Sequence, residues 1–370
     1  MILKSIELKN FRLHKDSVLT FSENLNFIVG GNGQGKTTIL EAIYYMCTTK
    51  SLNQSPDIES VNFEEKFFEI KGQFEDLTKN RININFNSDV GKKAVLLDEK
   101  QIFRAADIIG KFPVVTLIQS DHEITQGSPG ERRKFVDSII SQASETYLKI
   151  FIDYNKTLRQ RSSLLNQIRE TKNPSLYSQL DAWTSTLIKT GSEIIRHRIK
   201  FKNEFNEYVK NAYQKIMNTI ETPDISYQTF TEIEDKNIEE EFAKELNKKK
   251  ELELIRAKNL VGPHRDDFIF NVNNRELRRY GSQGQHKTFQ IALRFAQFFY
   301  MKDTMGRVPI FLMDDIFGEL DTYRAKKISE YLKEVGQSFI TMTDFTNYSD
   351  LVKLENDKLI EVENGTVTYV

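Results

Sequence analysis

Gly30-Gly31-Asn32-Gly33-Gln34-Gly35-Lys36-Thr37 is the stretch on which the fold turns. It fits the pattern G-x-x-x-x-G-K-[ST], and its surroundings are those a phosphate loop requires. The apolar run Leu25 to Val29 precedes it and reads as a buried strand. Thr38 to Cys47 follows, with Ile39, Leu40, Ile43, Met46 and Cys47 at helical spacing. Glycines let successive backbone N–H groups turn inward as an anion nest, Lys36 reaches β and γ phosphates, and the Thr37 hydroxyl can ligate Mg²⁺. A chance glycine turn would have no reason to sit between a strand and a helix. The segment Gly30 to Thr38 is therefore the expected ATP site.

Working outward, residues 2 to 29 read as three strands: Ile2, Ile6 and Leu8 in an alternating run, Val18 to Phe21, and Leu25 to Val29. Residues 66 to 98 alternate again through Phe68, Ile70, Phe74 and Ile82, Ile84, Phe86, with turn-like residues between, and predict hairpins of an antiparallel sheet. From Glu131 the period changes. Phe135, Ile139, Ala143, Tyr147, Phe151, Tyr154, Leu158, Leu165 and Ile168 recur at three, four or seven residues and predict one long helix, broken at Lys172-Asn173-Pro174. A second helix is expected from Leu176 to about Ile220. At 1.5 Å per residue, two such helices of about forty residues would each reach roughly 60 Å. An acidic stretch from Glu221 to Glu241 leads to a further helix ending near Ala257. The expected organisation is a discontinuous head, 1–120 with 258–370, and an inserted helical lobe, 121–257.

Two more elements carry chemistry. Pro309 to Met313 is a buried-strand run ending in Asp314-Asp315. With a phosphate loop in the same chain, Asp314 is expected to hold Mg²⁺ and Asp315 to polarise the attacking water. Gly281-Ser282-Gln283-Gly284-Gln285 precedes a helix whose apolar side holds Phe289, Ala292, Leu293, Ala296 and Phe299. Alone it would be a polar helix cap. In this order and company it resembles the S-x-G-Q signature of ATP-binding cassette proteins. That likeness implies an ATP-sandwiched homodimer, with Ser282, Gln283, Gly284 and Gln285 meeting the γ phosphate bound by the other copy. Gly318-Glu319-Leu320-Asp321 matches that group's D-loop, which places Asp321 near the dimer interface.

The whole chain resembles the RecF family of bacterial recombination-repair ATPases. Asn10-Phe11-Arg12 and Gly33 to Thr37 with Leu40-Glu41-Ala42-Ile43 look like its opening. Gly127-Ser128-Pro129 with Arg132-Arg133 and Phe135-Val136-Asp137 resembles its middle signature, and Gly262-Pro263-His264-Arg265-Asp266-Asp267 its later one. The resemblance implies an α/β fold: a cassette head with mixed β-sheets, similar to the SMC family without its long coiled coil, plus an inserted helical lobe. It also implies ATP and Mg²⁺ as cofactors, DNA (single-stranded, double-stranded or gapped) as ligand, and RecO-like and RecR-like partners in loading recombinase at gaps. Gln119-Ser120-Asp121 stands where the family has Pro-Glu-Asp, so Gln119 is a candidate metal-side Q-loop glutamine. The switch histidine of transporter ATPases is missing, since Phe339 to Met342 runs into Thr343-Asp344, and slow hydrolysis is expected. Arg12 is a candidate for approaching the nucleotide. His264 and His286 are read as structural.

Composition narrows the classes. Charged residues make up 28% and hydrophobic ones 39%, as in an ordinary globular chain. No apolar run reaches bilayer length, and the single cysteine, Cys47, suits a buried position in a reducing cytoplasm. The net charge of -1 gives no global pull on nucleic acid. Residues 131 to 220, however, hold sixteen Lys and Arg against nine Asp and Glu. Arg196, Arg198 and Lys200 are the candidate DNA contacts on that stretch. The ATPase subunit of a membrane transporter is the competing function. It would share the motifs, but 246 positions between Lys36 and Ser282 are too many for a compact transporter head. A small-molecule kinase would leave the signature and D-loop without purpose.

Overall fold

The computed structural model describes residues 1–217, 221–230, 237–343 and 356–369. The chain opens with β1 (Ile2–Phe11), β2 (His14–Thr20) and β3 (Leu25–Val29), and α1 (Lys36–Thr48) follows the glycine loop. Next come β4 (Phe67–Glu75), β5 (Lys79–Asn87), β6 (Lys92–Leu97), β7 (Lys100–Ile102) and β8 (Val114–Leu117). A helical run holds α2 (His122–Gln126), α3 (Pro129–Ala143), α4 (Glu145–Thr171) and α5 (Ser175–Ile216). Then follow β9 (Pro223–Gln228), α6 (Ile238–Arg256), β10 (Asp267–Val272), β11 (Arg275–Glu276), α7 (Leu277–Tyr280) and α8 (Gln283–Met305). β12 (Ile310–Asp314), α9 (Thr322–Leu332), β13 (Ser338–Met342), β14 (Lys358–Glu363) and β15 (Thr366–Tyr369) complete it.

Two compact units emerge. The first comprises Met1–Asp121, Ala212–Thr219 and Ile291–Val370. It holds an antiparallel sheet in the order β2-β1-β4-β5-β6-β7 and a second sheet in the order β15-β14-β3-β13-β12-β8. In the second sheet β14, β3, β13, β12 and β8 are parallel neighbours. Their apolar runs follow from burial on both faces, as parallel sheets require. One core joins Ile6, Leu8, Ile70 and Ile84 of the first sheet to Ile28, Leu312 and Phe339 of the second, with Ile39, Leu40, Ile43 and Met46 of α1 in the same cluster. Truncating Leu40 there to alanine should cost about 2–5 kcal/mol, because the cavity cannot refill.

The second unit is His122–Asn211 with Ile220–Gln290. Residues 258–290, assigned to the head from sequence, group here because β10 pairs with β9 and β11 in a separate three-stranded sheet. β9 itself lies within the acidic stretch that carried no strand signal. The single helix expected from Glu131 to Ile168 is two, α3 and α4. The chain turns at Ser144, whose extended backbone and hydroxyl, accepting from Tyr147 N–H at 3.2 Å, restart the helix. α5, at forty-two residues, spans about 63 Å.

Arg198 is the clearest correction. It sits on the α5 face that also carries Ile194, Phe201 and Phe205, and it is 2% exposed. Its Nε and Nη2 donate to the two Asp137 oxygens at 3.0 and 2.9 Å, and its Nη1 donates to Pro263 O at 2.7 Å. A guanidinium so enclosed binds the lobe together and is not available to DNA. Arg196 pairs with Glu193 and reaches Glu239, while Lys200 is exposed and 3.8 Å from Glu204. The two signature segments meet here as well. Arg132 forks onto both Asp267 oxygens at 2.8 and 2.7 Å, and Arg133 donates to Asp266 O at 2.6 Å. Their pairing is structural: each buried charge is matched by a partner.

Candidate functional site

Four adjacent parallel strands, β3, β13, β12 and β8, deliver the site at their carboxyl ends, where open parallel sheets bind ligands. The glycine loop leaves β3, Asp314 ends β12, and Thr341 lies opposite Asp314 in register on β13. Gln119 begins a short turn just beyond β8. Its companion Asp121 accepts from Nε of Arg294 on α8 at 2.8 Å, and the Ile118 N–H donates to it at 3.2 Å, which pins the turn.

These elements enclose a polar cleft of about 270 Å³ lined by Leu13, Asn32 to Thr38, Gln119, Asp314, Asp315 and Thr341. Gly30 and Gly31 lie behind it and turn their carbonyls to Lys36, whose Nζ donates to them at 2.7 and 2.8 Å. Burial lowers the pKa of that ammonium, and the facing carboxylates of Asp315 and Asp314 work against the shift. Gly30 is required by a close approach, since a Cβ there would stand 2.2 Å from the Val362 carbonyl oxygen. Gly35 has φ +107°, and a Cβ there would meet His14 Nε2 at 3.0 Å.

The Thr37 hydroxyl donates to Asp314 Oδ1 at 2.8 Å. Adjacent ligands of an octahedral Mg²⁺ stand about 2.9 Å apart at bond lengths near 2.05 Å, so this pair is spaced like two neighbouring positions of one ion. Among the described residues no cluster of three or more His, Cys, Asp or Glu side chains could hold a metal alone. A magnesium completed by phosphate oxygens and water needs none. Asp315 has φ +49°, a conformation that costs an ordinary residue about 1–3 kcal/mol and is kept where the surroundings enforce it. The enforcement is visible: its N–H donates to the Thr341 hydroxyl at 2.9 Å, and that hydroxyl donates to Asp314 Oδ1 at 2.7 Å.

Thr341 and His14 are the residues that sequence reasoning missed. His14 is buried, with Nε2 3.1 Å from Gly35 O and Nδ1 2.9 Å from the Ser17 hydroxyl, and burial lowers its pKa. The β14–β15 turn braces the same loop, since Asn364 N–H donates to Gln34 Oε1 at 2.6 Å and Gly365 N–H to Gln34 O at 3.0 Å. Arg12 is held by Glu41, with Nη2 donating to Oε1 at 2.8 Å, and does not line the cleft.

The other expected residues do not line this cleft. Ser282 is exposed at the start of α8, where its hydroxyl accepts from Gln285 N–H at 3.2 Å and its own N–H donates to Gln285 Oε1 at 2.9 Å. That is a capping box, so Ser282 and Gln285 secure the start of α8. Asp321 is exposed and caps α9 by accepting from Arg324 N–H at 2.9 Å. His286 and Cys47 are buried, and His264 is bound to the Tyr154 hydroxyl at 2.7 Å. Asp344 lies outside the described residues.

The RecF/RecN/SMC N terminal domain model matches residues 2–365. The DNA replication and repair protein RecF of Chloroherpeton thalassium is 38% identical over 359 residues, 95% of this chain and 97% of that protein. The protein of the same name from Salinibacter ruber is 36% identical, covering 93% and 85% respectively. A solved structure of the recombination mediator protein RecF-ATPrS in the RecFOR pathway superposes with TM-score 0.90 at 31% identity, covering 100% of this chain and 98% of that one. The Smc head domain of Pyrococcus furiosus, at TM-score 0.59 and 17% identity, shares the fold alone. None of these matches is a transporter subunit. By sequence, length and fold together, this chain belongs to the RecF family of DNA replication and repair proteins.

Proposed function

We propose that the chain is an ATP-switched DNA-binding protein: ATP with Mg²⁺ joins two copies, the dimer holds DNA without reading its sequence, and slow hydrolysis resets it. The observation that carries this is the meeting of Thr37, Asp314, Asp315 and Gln119 around one glycine loop at the carboxyl edge of a parallel sheet. Gly31 to Thr38 would cradle the phosphates, with Lys36 turning from the Gly30 and Gly31 carbonyls to the β and γ oxygens. Thr37, Asp314 and Gln119 would hold Mg²⁺, which when bound neutralises charge developing on the phosphate oxygens. Asp315, fixed by its backbone bond to Thr341, would orient the attacking water. No histidine occupies 341 to 343, in keeping with slow turnover. Ser282, Gln283, Gly284 and Gln285 would meet the nucleotide of the second copy, and Asp321 would lie at that interface.

The RecF names and the RecFOR title of the relatives support a role in recombinational repair and replication restart, alongside RecO-like and RecR-like proteins in the cytoplasm. Among the described residues no helix is long and apolar enough to cross a membrane. Light scattering on gel-filtered protein tests the switch. Wild type should run as a dimer with ATP and Mg²⁺ and as a monomer without, and Lys36→Ala should stay monomeric. A mass independent of nucleotide would overturn the switch.

A further inference from the structure

Arg159, Lys258 and Arg265 line a single cleft of about 550 Å³ within the second unit, together with Asn155, Leu158, Ser162, Asn259 and His264. No carboxylate is among those residues. Asn155, Leu158, Arg159 and Ser162 fall at i, i+3, i+4 and i+7 along α4 and so share one face. The opposite wall is the segment after α6, which ends with Ala257 at φ +50° and turns at once into Lys258. That wall ends in His264-Arg265, inside the signature Gly262 to Asp267, for which the nucleotide site has no use.

The floor is a fixed hydrogen-bond frame. Asn259 is buried; its Oδ1 accepts from Arg161 Nη1 at 2.6 Å, and its Nδ2 donates to the Ser162 hydroxyl at 2.8 Å and Leu158 O at 3.0 Å. Its carbonyl accepts from Arg265 Nη2 at 3.0 Å, which orients that guanidinium while leaving its charge uncompensated. His264 is tied to Tyr154 and, by burial, has its pKa pushed down to about 4, so it lines the cleft as a neutral ring at pH 7. Arg161, two positions from Arg159, shows the contrast: it is buried and paired with Glu253 at 2.6 Å. Among the described residues, no ion pair is made by Arg159, Lys258 or Arg265.

We propose that this cleft binds the sugar-phosphate backbone of a nucleic acid, with Arg159, Lys258 and Arg265 as the phosphate contacts and Asn155 and Ser162 as neutral hydrogen-bonding neighbours. The composition favours this over an acidic protein segment. Arg, Lys, Asn and Ser are the side chains that contact phosphate, whereas a protein interface needs an apolar centre and this cleft offers Leu158 alone. The choice of nucleic acid rests on the DNA-binding reading above; the cleft itself does not.

The test is fluorescence anisotropy of a labelled 30-mer, single-stranded and duplex, between 50 and 200 mM salt, on the full chain with ATP. Arg159→Ala/Lys258→Ala removes two exposed, unpaired cations and should leave folding, ATP affinity and nucleotide-dependent mass unchanged. Losing two phosphate contacts should flatten the slope of log K against log salt by about 2 and weaken binding by on the order of tenfold at the higher salt. Lys244→Ala/Lys248→Ala is the charge-matched control, since both lysines pair within α6. An unchanged slope in the cleft variant overturns the proposal and leaves the ATP switch standing. An equal loss in the control overturns it too, because net charge alone would then explain the effect. Retained DNA binding with loss of a polyglutamate peptide would reassign the cleft to an acidic protein. Wild type that binds no DNA at any salt removes the DNA-binding reading and this proposal together.

Discussion

Thr341→Val is the most direct test of how the acid pair is held. The hydroxyl is fully buried and makes two bonds at once, donating to Asp314 Oδ1 at 2.7 Å and accepting from the Asp315 N–H at 2.9 Å. Valine keeps the shape and removes both. A hydrogen bond to a charged group contributes about 1.5–3 kcal/mol, and a buried donor left unmade costs about 1–3 kcal/mol. Asp314 retains its bond from Thr37, and both aspartates are only partly buried, so water can recover part of the loss. The expected destabilisation is about 2–3 kcal/mol, read as a lower midpoint in equilibrium urea unfolding.

Function should fall further than stability. Asp315 is held at φ +49° against a cost of about 1–3 kcal/mol, and the bond that enforces it is the one deleted. If half to all of that misplacement reaches the transition state, turnover drops by about 2- to 160-fold. ATP affinity without Mg²⁺ should stay near wild type, because the phosphate loop is untouched. Thr341→Ser, which keeps the hydroxyl, should restore most of the rate. A valine variant hydrolysing ATP at the wild-type rate would show that the bond does not position the acid.

Asp315→Asn should retain ATP and accumulate as the nucleotide-bound dimer, whereas Asp314→Asn should lose the Mg²⁺-dependent part of ATP affinity; titrations with and without Mg²⁺ separate them, and identical phenotypes would refute the division of roles. Ser282→Arg should bind ATP normally as a monomer and fail to dimerise on ATP by light scattering, while a wild-type dimer would refute the sandwich. Acid stability offers a third test. His264 titrates at about 4 when folded and near 6.5 when unfolded, so the unfolded chain gains the proton first and stability drains as pH falls from 6.5 towards 4. Asp266, its pKa pushed up to about 6 by burial, acts oppositely, taking a proton first in the folded state. His264→Gln deletes only the first effect, so between pH 6 and 5 its stability should rise relative to wild type by about 1.2 kcal/mol. Urea midpoints that move in parallel would refute the assignment.

What could be read from the sequence was what is coded locally. The phosphate loop announces itself because its glycines, Lys36 and Thr37 serve one short backbone turn. Asp314-Asp315 was legible because a buried apolar run ending in acids has few other uses. Thr341 and His14 were not legible, since their roles arise only when β13 lies beside β12 and β2 folds over the loop, adjacencies that no run of residues carries. The α3–α4 break was hidden for a related reason. Ser144 caps a new helix without glycine or proline, and the apolar spacing continues through it.

Charge counting failed differently, and the failure locates the site. The excess of cations between 131 and 220 counted Arg132, Arg161 and Arg198 as surface charges, yet each is buried against a carboxylate from a distant part of the chain. Arg198 stands four residues after Ile194 and seven before Phe205 on α5, which puts it on the same buried face of the helix. Those three cations are therefore lost to any surface field that the count implied. Of the three unpaired charges that share the second-unit cleft, only Arg159 lies between 131 and 220; Lys258 comes from the turn after α6, and Arg265 from the signature segment whose histidine and aspartates are occupied in packing. Affinity for a polyanion depends on which charges remain uncompensated after folding, and here Glu253 and Asp267, which do not line the cleft, neutralise Arg161 and Arg132, while Asn259 in the cleft orients Arg265 without neutralising it.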